Sequence, residues 1–175
     1  MTPALPRLTL VLGGARSGKS RFAEGLIAKA PAPWIYIATA KDLDDEMGLR
    51  IAEHGQRRGP AWTTIEVPLD LAGTLRGRGQ DGTPMLVDCL TLWLSNVMLG
   101  GQSAEREIGE LLSSLAAVKG PLIVVSNEVG LGIVPDNWLG RAFRDAQGRL
   151  NAQVAELADH VVFIAAGLPL TLKQP

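Results

Sequence analysis

The stretch "LTLVLGGARSGKSRFAEGLI", Leu8 to Ile27, decides the fold. Five mostly apolar residues run into a glycine-rich turn, a lysine, a serine and then a helix-like pattern. Gly13 to Ser20, "GGARSGKS", matches the phosphate-loop pattern G-x-x-x-x-G-K-[ST]. In such a loop the glycines let successive backbone N–H groups turn inward and form an anion-binding concavity. Lys19 can then reach β- and γ-phosphates, and the Ser20 hydroxyl can ligate Mg²⁺. The helix that follows adds its positive N-terminal end. A plain glycine turn with a solvated lysine is the competing account. The flanking strand and helix patterns, which the phosphate mechanism requires, favour an anionic ligand.

Outward from this stretch, four more short apolar runs are rich in β-branched or aromatic residues: "WIYIA" (34–38), "MLVDC" (85–89), "LIVVS" (122–126) and "VVFIA" (161–165). Continuous rather than alternating apolar runs predict strands buried on both faces. Helical patterns fall between them, over Ser20 to Lys29, Asp44 to Arg57, "SAEREIGELLSSLAAV" (103–118) and the segment after "PDNW". In the last of these Asp136 is the expected cap, and Trp138, Ala142, Phe143, Ala146, Leu150 and Val154 trace an apolar stripe. "LRGRGQDGTP" (75–84) is expected to be an exposed loop, and "LPLTLK" (168–173) can add an antiparallel edge strand. Alternating strands and helices predict an α/β fold. The expectation is a single P-loop nucleotide-binding domain over residues 1–175, a three-layer sandwich with a mostly parallel central sheet.

The 175 residues suffice for one sizeable core. Lysine and arginine total 17 against 18 acidic residues, a balance that argues against a dedicated nucleic-acid binder. The lone cysteine, Cys89, rules out an internal disulfide and suits a reducing compartment. No run approaches the roughly 18 apolar residues of a membrane span, and no signal-peptide pattern stands at the N-terminus. A cytoplasmic protein without stable membrane insertion is expected.

A metal partner for the loop should be an acidic residue at the end of a neighbouring apolar strand. Asp88 in "MLVDC" holds that place, and the same carboxylate could instead cap the helix beginning near Thr91. Glu128, in "LIVVSNEVG", is a second strand-end carboxylate with a role at the metal, at the acceptor or in holding its own loop. Ala38, Thr39 and Ala40 end the strand "WIYIA", where ligands of open α/β sheets bind; small residues leave room there, although Thr39 also suits a turn. In "DDEMGLRIAEHGQRR", Glu46, Arg50, His54 and Arg58 share one helical face. Flanking arginines disfavour imidazolium, so His54 would stay neutral and able to attack phosphorus. A merely solvated charged face fits the spacing as well. His160, in "ADHVVF", suits a structural or capping role.

Together these residues resemble the bifunctional adenosylcobinamide kinase / adenosylcobinamide-phosphate guanylyltransferase family of cobalamin biosynthesis. The resemblance covers nearly the whole chain and rests on "GGARSGKSRFAE", "YIATAKDLDDEMGLRIAEH", Asp88, "SNEVGLGIVPDNWLGRAFRDAQGRLNAQVA" and "ADHVVFIAAGLPLTLK". It implies two activities. A nucleoside triphosphate, ATP or GTP, phosphorylates adenosylcobinamide. GTP then gives GMP to an enzyme histidine, and adenosylcobinamide phosphate takes it up as adenosylcobinamide-GDP. The histidine three residues after "RI" falls on His54, which makes it the implied nucleophile, with Lys19 as the second catalytic residue. Nucleotide contacts carry over to Gly13, Gly14, Ala15, Arg16, Ser17, Gly18, Lys19 and Ser20, to Ala38, Thr39 and Ala40, to Gly55, Gln56, Arg57 and Arg58, and to Glu66 and Asp88. Ser20 and Asp88 are the implied Mg²⁺ ligands. A homo-oligomer, a trimer, is implied as well. Two departures stand out: Glu53 replaces the first of a histidine pair found in many relatives, and Asp88 stands where some carry glutamate.

The competing expectations are a small-molecule kinase without a covalent intermediate and a non-catalytic nucleotide-binding module. A regulatory GTPase is disfavoured, since no N-K-x-D guanine-reading motif occurs.

Overall fold

The computed structural model describes residues 5–40 and 59–174. The predicted helix from Asp44 to Arg57 lies outside the described residues. Continuous apolar runs become strands where expected: β1 (Leu8–Gly13), β2 (Trp34–Ala38), β4 (Met85–Asp88), β5 (Leu122–Asn127) and β6 (His160–Ala165). With β3 (Trp62–Glu66) and β7 (Leu168–Lys173) they form one seven-stranded sheet in the order β3-β2-β4-β5-β1-β6-β7. Every pairing is parallel except β6 with β7, so "LPLTLK" is the antiparallel edge strand anticipated above.

Among the described residues the helices are α1 (Lys19–Ile27), α2 (Leu71–Arg78), α3 (Leu90–Leu99), α4 (Ala104–Ala117) and α5 (Trp138–Leu157). Strand alternation divides the core in two. Leu8, Leu10, Leu12, Val87 and Val124 pack with Leu75, Trp93, Leu111, Leu150 and Val154 of α2 to α5. Val11, Leu86, Ile123, Val125 and Val162 pack on the opposite face with Ala23 and Ile27 of α1. Both faces of each central strand are covered, which is why its apolar run is unbroken.

Four expectations are corrected. β3 was not anticipated: "WTTIE" lies at the sheet edge, Thr63, Thr64 and Glu66 are exposed, and no continuous apolar run forms. Trp62 nonetheless packs against Trp34 with centroids 5.2 Å apart. "LRGRGQDGTP" is not wholly a loop. Leu75 to Arg78 end α2, whose Asp70 cap accepts from the Gly73 N–H at 2.9 Å and whose Leu71 and Leu75 are fully buried. Gly73 and Gly77, poor helix formers, hide that helix in the sequence. The cap of α5 is Asn137 rather than Asp136, its Oδ1 accepting from the Gly140 N–H at 2.7 Å. On the same helix Ala146, Leu150 and Val154 are buried, but Trp138, the first member of the predicted stripe, is 73% exposed. His160 opens β6 half-buried, and burial lowers its pKa below the usual histidine value.

Candidate active site

The phosphate loop leaves the C-terminal end of β1 between two parallel neighbours, with Gly13 paired to Asn127 of β5 and to Ile164 of β6. Gly13 has φ +155°, and a Cβ built there would stand 2.5 Å from the Ile164 carbonyl oxygen and 2.7 Å from Ser17 Oγ. The backbone therefore approaches the next strand as only glycine can. Gly13→Ala is expected to cost about 1–3 kcal/mol by overpacking and to lower the denaturation midpoint; an unchanged midpoint would refute this close approach. Gly18, at φ +96°, turns the chain into α1, and the hairpin tip between β6 and β7 ties down the loop through Gly167 N–H to Ser17 O at 3.0 Å. Ala15, Arg16 and Gly18 are exposed, Gly14, Ser17 and Ser20 part-buried.

Lys19 is only 7% exposed and its ammonium donates to the Gly14 carbonyl at 2.6 Å. Burial lowers its pKa, while Cys89 and Asp88 act in the opposite direction. Lys19 thus lies within the field of the Asp88 carboxylate, although β5 separates their strands: Asp88 ends β4, one strand further from β1 than a direct neighbour would be. α1 bridges that gap because it packs across both β4 and β5. The Cys89 thiol, buried beside Asp88, is pushed up to about 12, so it stays protonated at neutral pH.

Ala38 pairs with Glu66 on one side and with Asp88 on the other, so the two carboxylates close one row at the strand ends with a small residue between them. Glu66 is exposed; Asp88 is half-buried and accepts from Tyr36 Oη at 2.9 Å. Asp88 is the last residue of β4, and Cys89 is the N-cap of α3, without a side-chain cap bond. Ala40 is half-buried. Thr39 is fully buried: its hydroxyl donates to Cys89 O at 2.6 Å and accepts from Cys89 N–H at 2.8 Å, and its carbonyl accepts from Asn96 Nδ2 at 2.8 Å. That side chain fixes the backbone beside Asp88 and does not face the cleft. Glu128 follows β5; its N–H donates to Gly13 O at 3.0 Å and its carboxylate accepts from Gly130 N–H at 2.5 Å, the loop-holding option among those open for it. His54, Gly55, Gln56, Arg57 and Arg58 lie outside the described residues.

Several supporting residues escaped sequence reasoning. Tyr36, the chain's one tyrosine, sits in an apolar run and gave no sign of its bond to Asp88. Behind the end of β5, Ser126 Oγ donates to Asn151 Oδ1 at 2.6 Å, and Gln147 Nε2 donates to both at 2.9 Å. Asn151 Nδ2 donates to Asn127 O at 3.0 Å, and Asn127 N–H donates to Thr91 Oγ1 at 2.8 Å. The network joins α3, α5 and β5 beneath the loop that adjoins Gly13. Asn151→Ala would strand several buried partners, at about 1–3 kcal/mol each, so a clear drop in denaturation midpoint is expected; a change within error would show the network to be dispensable.

A family model described as "Cobinamide kinase / cobinamide phosphate guanyltransferase" matches residues 9–172. The chain is 51% identical over 166 residues to the bifunctional adenosylcobalamin biosynthesis protein CobP of Pseudomonas aeruginosa, covering 94% of this chain and 96% of that one. It is 38% identical over 181 residues to the bifunctional adenosylcobalamin biosynthesis protein CobU of Salmonella typhimurium, covering 95% of this chain and 99% of the relative. Among solved structures, a prototypical ATPase from the type III secretion system of pathogenic bacteria aligns at TM-score 0.58 and 14% identity, over 94% of this chain and 56% of that one. A protein from Pyrococcus horikoshii OT3 aligns at TM-score 0.54 and 10% identity, over 98% and 88%. These last two likenesses concern the fold alone.

Proposed function

This chain belongs to the cobinamide kinase / cobinamide phosphate guanyltransferase family, and we propose that it performs both reactions with the single phosphate loop Gly13–Ser20. In the kinase step the aminopropanol hydroxyl of adenosylcobinamide attacks the γ-phosphorus of ATP or GTP, and the bridging oxygen leaves with the nucleoside diphosphate. In the second reaction an imidazole nitrogen of His54 attacks the α-phosphorus of GTP and pyrophosphate leaves. The phosphate oxygen of adenosylcobinamide phosphate then displaces the histidine from that phosphorus, giving adenosylcobinamide-GDP and regenerating free His54.

The observation that carries this assignment is Lys19, buried against its own loop and within the field of Asp88. An ammonium held there, with the loop N–H groups, is already placed to neutralise charge on departing phosphate oxygens, the main contribution in phosphoryl transfer. Ala38, Thr39 and Ala40, with Glu66 and the Gly55–Arg58 segment, are assigned to the nucleotide by family correspondence. Thr39 acts there through the backbone it holds.

Ser20, part-exposed at the head of α1, and half-buried Asp88 offer a hydroxyl and a carboxylate. Such a hard, sparse oxygen set fits Mg²⁺, which keeps waters and takes the rest of its ligands from phosphates. Bound there, the ion supplies further neutralisation of the triphosphate oxygens. A cytoplasmic location and a homotrimer belong to the same proposal, supported by the unpaired Cys89 and the family correspondence.

The test is incubation with α-labelled GTP and Mg²⁺, followed by denaturation. Retained label that is acid-labile and alkali-stable is the expected result, since a phosphoramidate has that stability. Intact nucleotide binding with no retained label would reduce the protein to a kinase without a covalent intermediate, or to a binding module.

A further inference from the structure

We propose that residues 131–138 form a preformed docking face for the corrin macrocycle of the acceptor. This rests on the function proposed above and adds where the acceptor is held. The segment gathers four strongly exposed apolar side chains within eight residues: Leu131 is 84% exposed, Ile133 97%, Val134 57% and Trp138 73%. Isolated exposed leucines are ordinary, but several large apolar residues within one short segment mark a binding surface.

The exposure is built in by polar anchors at both ends. Upstream, Glu128 bonds to Gly13 O through its N–H and to Gly130 N–H through its carboxylate. Downstream, Arg141 Nη1 donates to Pro135 O at 3.0 Å and Asn137 caps α5 through Gly140 N–H. The exposed apolar side chains stand between these two anchored ends.

The occupant follows from position and chemistry. The face begins three residues after Glu128, whose N–H is bonded to Gly13 O, so its first residue is tethered close to the start of the phosphate loop. The acceptor must bring a hydroxyl, and later a phosphate, to that loop while its bulk stays outside. Its bulk is a broad, methyl-rich disc with uncharged amide arms and a cationic alkylcobalt centre. An indole and three aliphatic side chains suit the disc, and Asp136, the one charged residue from 129 to 140, suits the cation. A second copy of the chain has a separate exposed apolar strip in Leu168, Leu170 and Leu172 on edge strand β7.

The experiment uses the full chain, with Ile133→Asp and Trp138→Ala as separate variants. Equilibrium dialysis against adenosylcobinamide, read by its visible absorbance, measures docking without turnover. Each variant is expected to weaken binding about tenfold or more, as removal of a central apolar anchor does. GTP binding, labelling by α-labelled GTP and sedimentation should match the wild type. Unchanged corrinoid affinity in both variants overturns the proposal. So does weakened affinity accompanied by dissociation of an assembly, since the face would then join copies. A wild type that takes no label and binds no adenosylcobinamide overturns the function proposed above, and this docking face with it.

Discussion

Lys19→Ala is expected to depress kinase and guanylyl transfer together, each by about 10²-fold or more, without unfolding the protein. The ammonium is buried, bonded to one carbonyl, and its pKa is lowered by desolvation that the Asp88 carboxylate only partly offsets. A charge in that condition is a cost to the folded chain until an anion arrives. Bound triphosphate supplies the missing counter-charge, so the lysine's favourable energy appears on binding and grows as charge moves to the leaving oxygens. Removing it should therefore leave thermal stability unchanged or slightly higher, weaken nucleotide binding and collapse both rates. Paired kcat and Kd measurements, with a melting curve, check this. Both rates within about threefold of wild type would mean that the loop is not where triphosphate reacts.

The sign of the stability change matters because it separates this lysine from the polar groups behind it. Asn151 has both ends of its amide bonded, the oxygen twice and the nitrogen once, so its loss should cost stability. Lys19 is under-used in the absence of nucleotide. The two substitutions are thus expected to move stability in opposite directions, a group proposed to serve the ligand against a network that serves the fold.

What could be read from the sequence follows from which physical signal each element leaves. β1, β2, β4, β5 and β6 are covered on both faces, and burial on both faces writes an unbroken apolar run. β3 is covered less, so threonines and a glutamate interrupt it, and Glu66 could be placed only by family correspondence. α2 is short and holds Gly73 and Gly77, so its buried Leu71 and Leu75 were masked by a loop-like composition. The phosphate loop was legible because its glycines, lysine and serine are each demanded by one backbone shape. The Thr91–Ser126–Gln147–Asn151 network was not, since polar side chains on a helix normally mark the solvent face. Its one trace is Gln147 and Asn151 four residues apart beside Ala146 and Leu150, on the face that the apolar stripe already assigned to the core. Asp88 was identified as a strand-end carboxylate, but its distance of one extra strand from β1 is topology, which spacing along the chain does not encode.

His54→Ala is expected to abolish retained label from α-labelled GTP and to lower guanylyl transfer by about 10³-fold or more, as loss of a covalent nucleophile does, while the kinase rate stays near wild type. The separation follows from which phosphorus is attacked. The kinase step needs the γ-phosphorus, the loop and the acceptor hydroxyl, and forms no bond to the enzyme. Guanylyl transfer needs an attack on the α-phosphorus that retains GMP on the protein while pyrophosphate departs. In the proposed function Lys19 and the loop serve both events, so only a residue used in one of them can divide the activities. Spacing alone leaves His54 open to being a solvated residue on a charged face, and that alternative predicts no effect on either rate. Equal loss of both rates would instead make His54 a general support of the nucleotide site. Selective loss of label and of adenosylcobinamide-GDP, with adenosylcobinamide phosphate still made, is the one outcome that requires a phosphoramidate on this side chain.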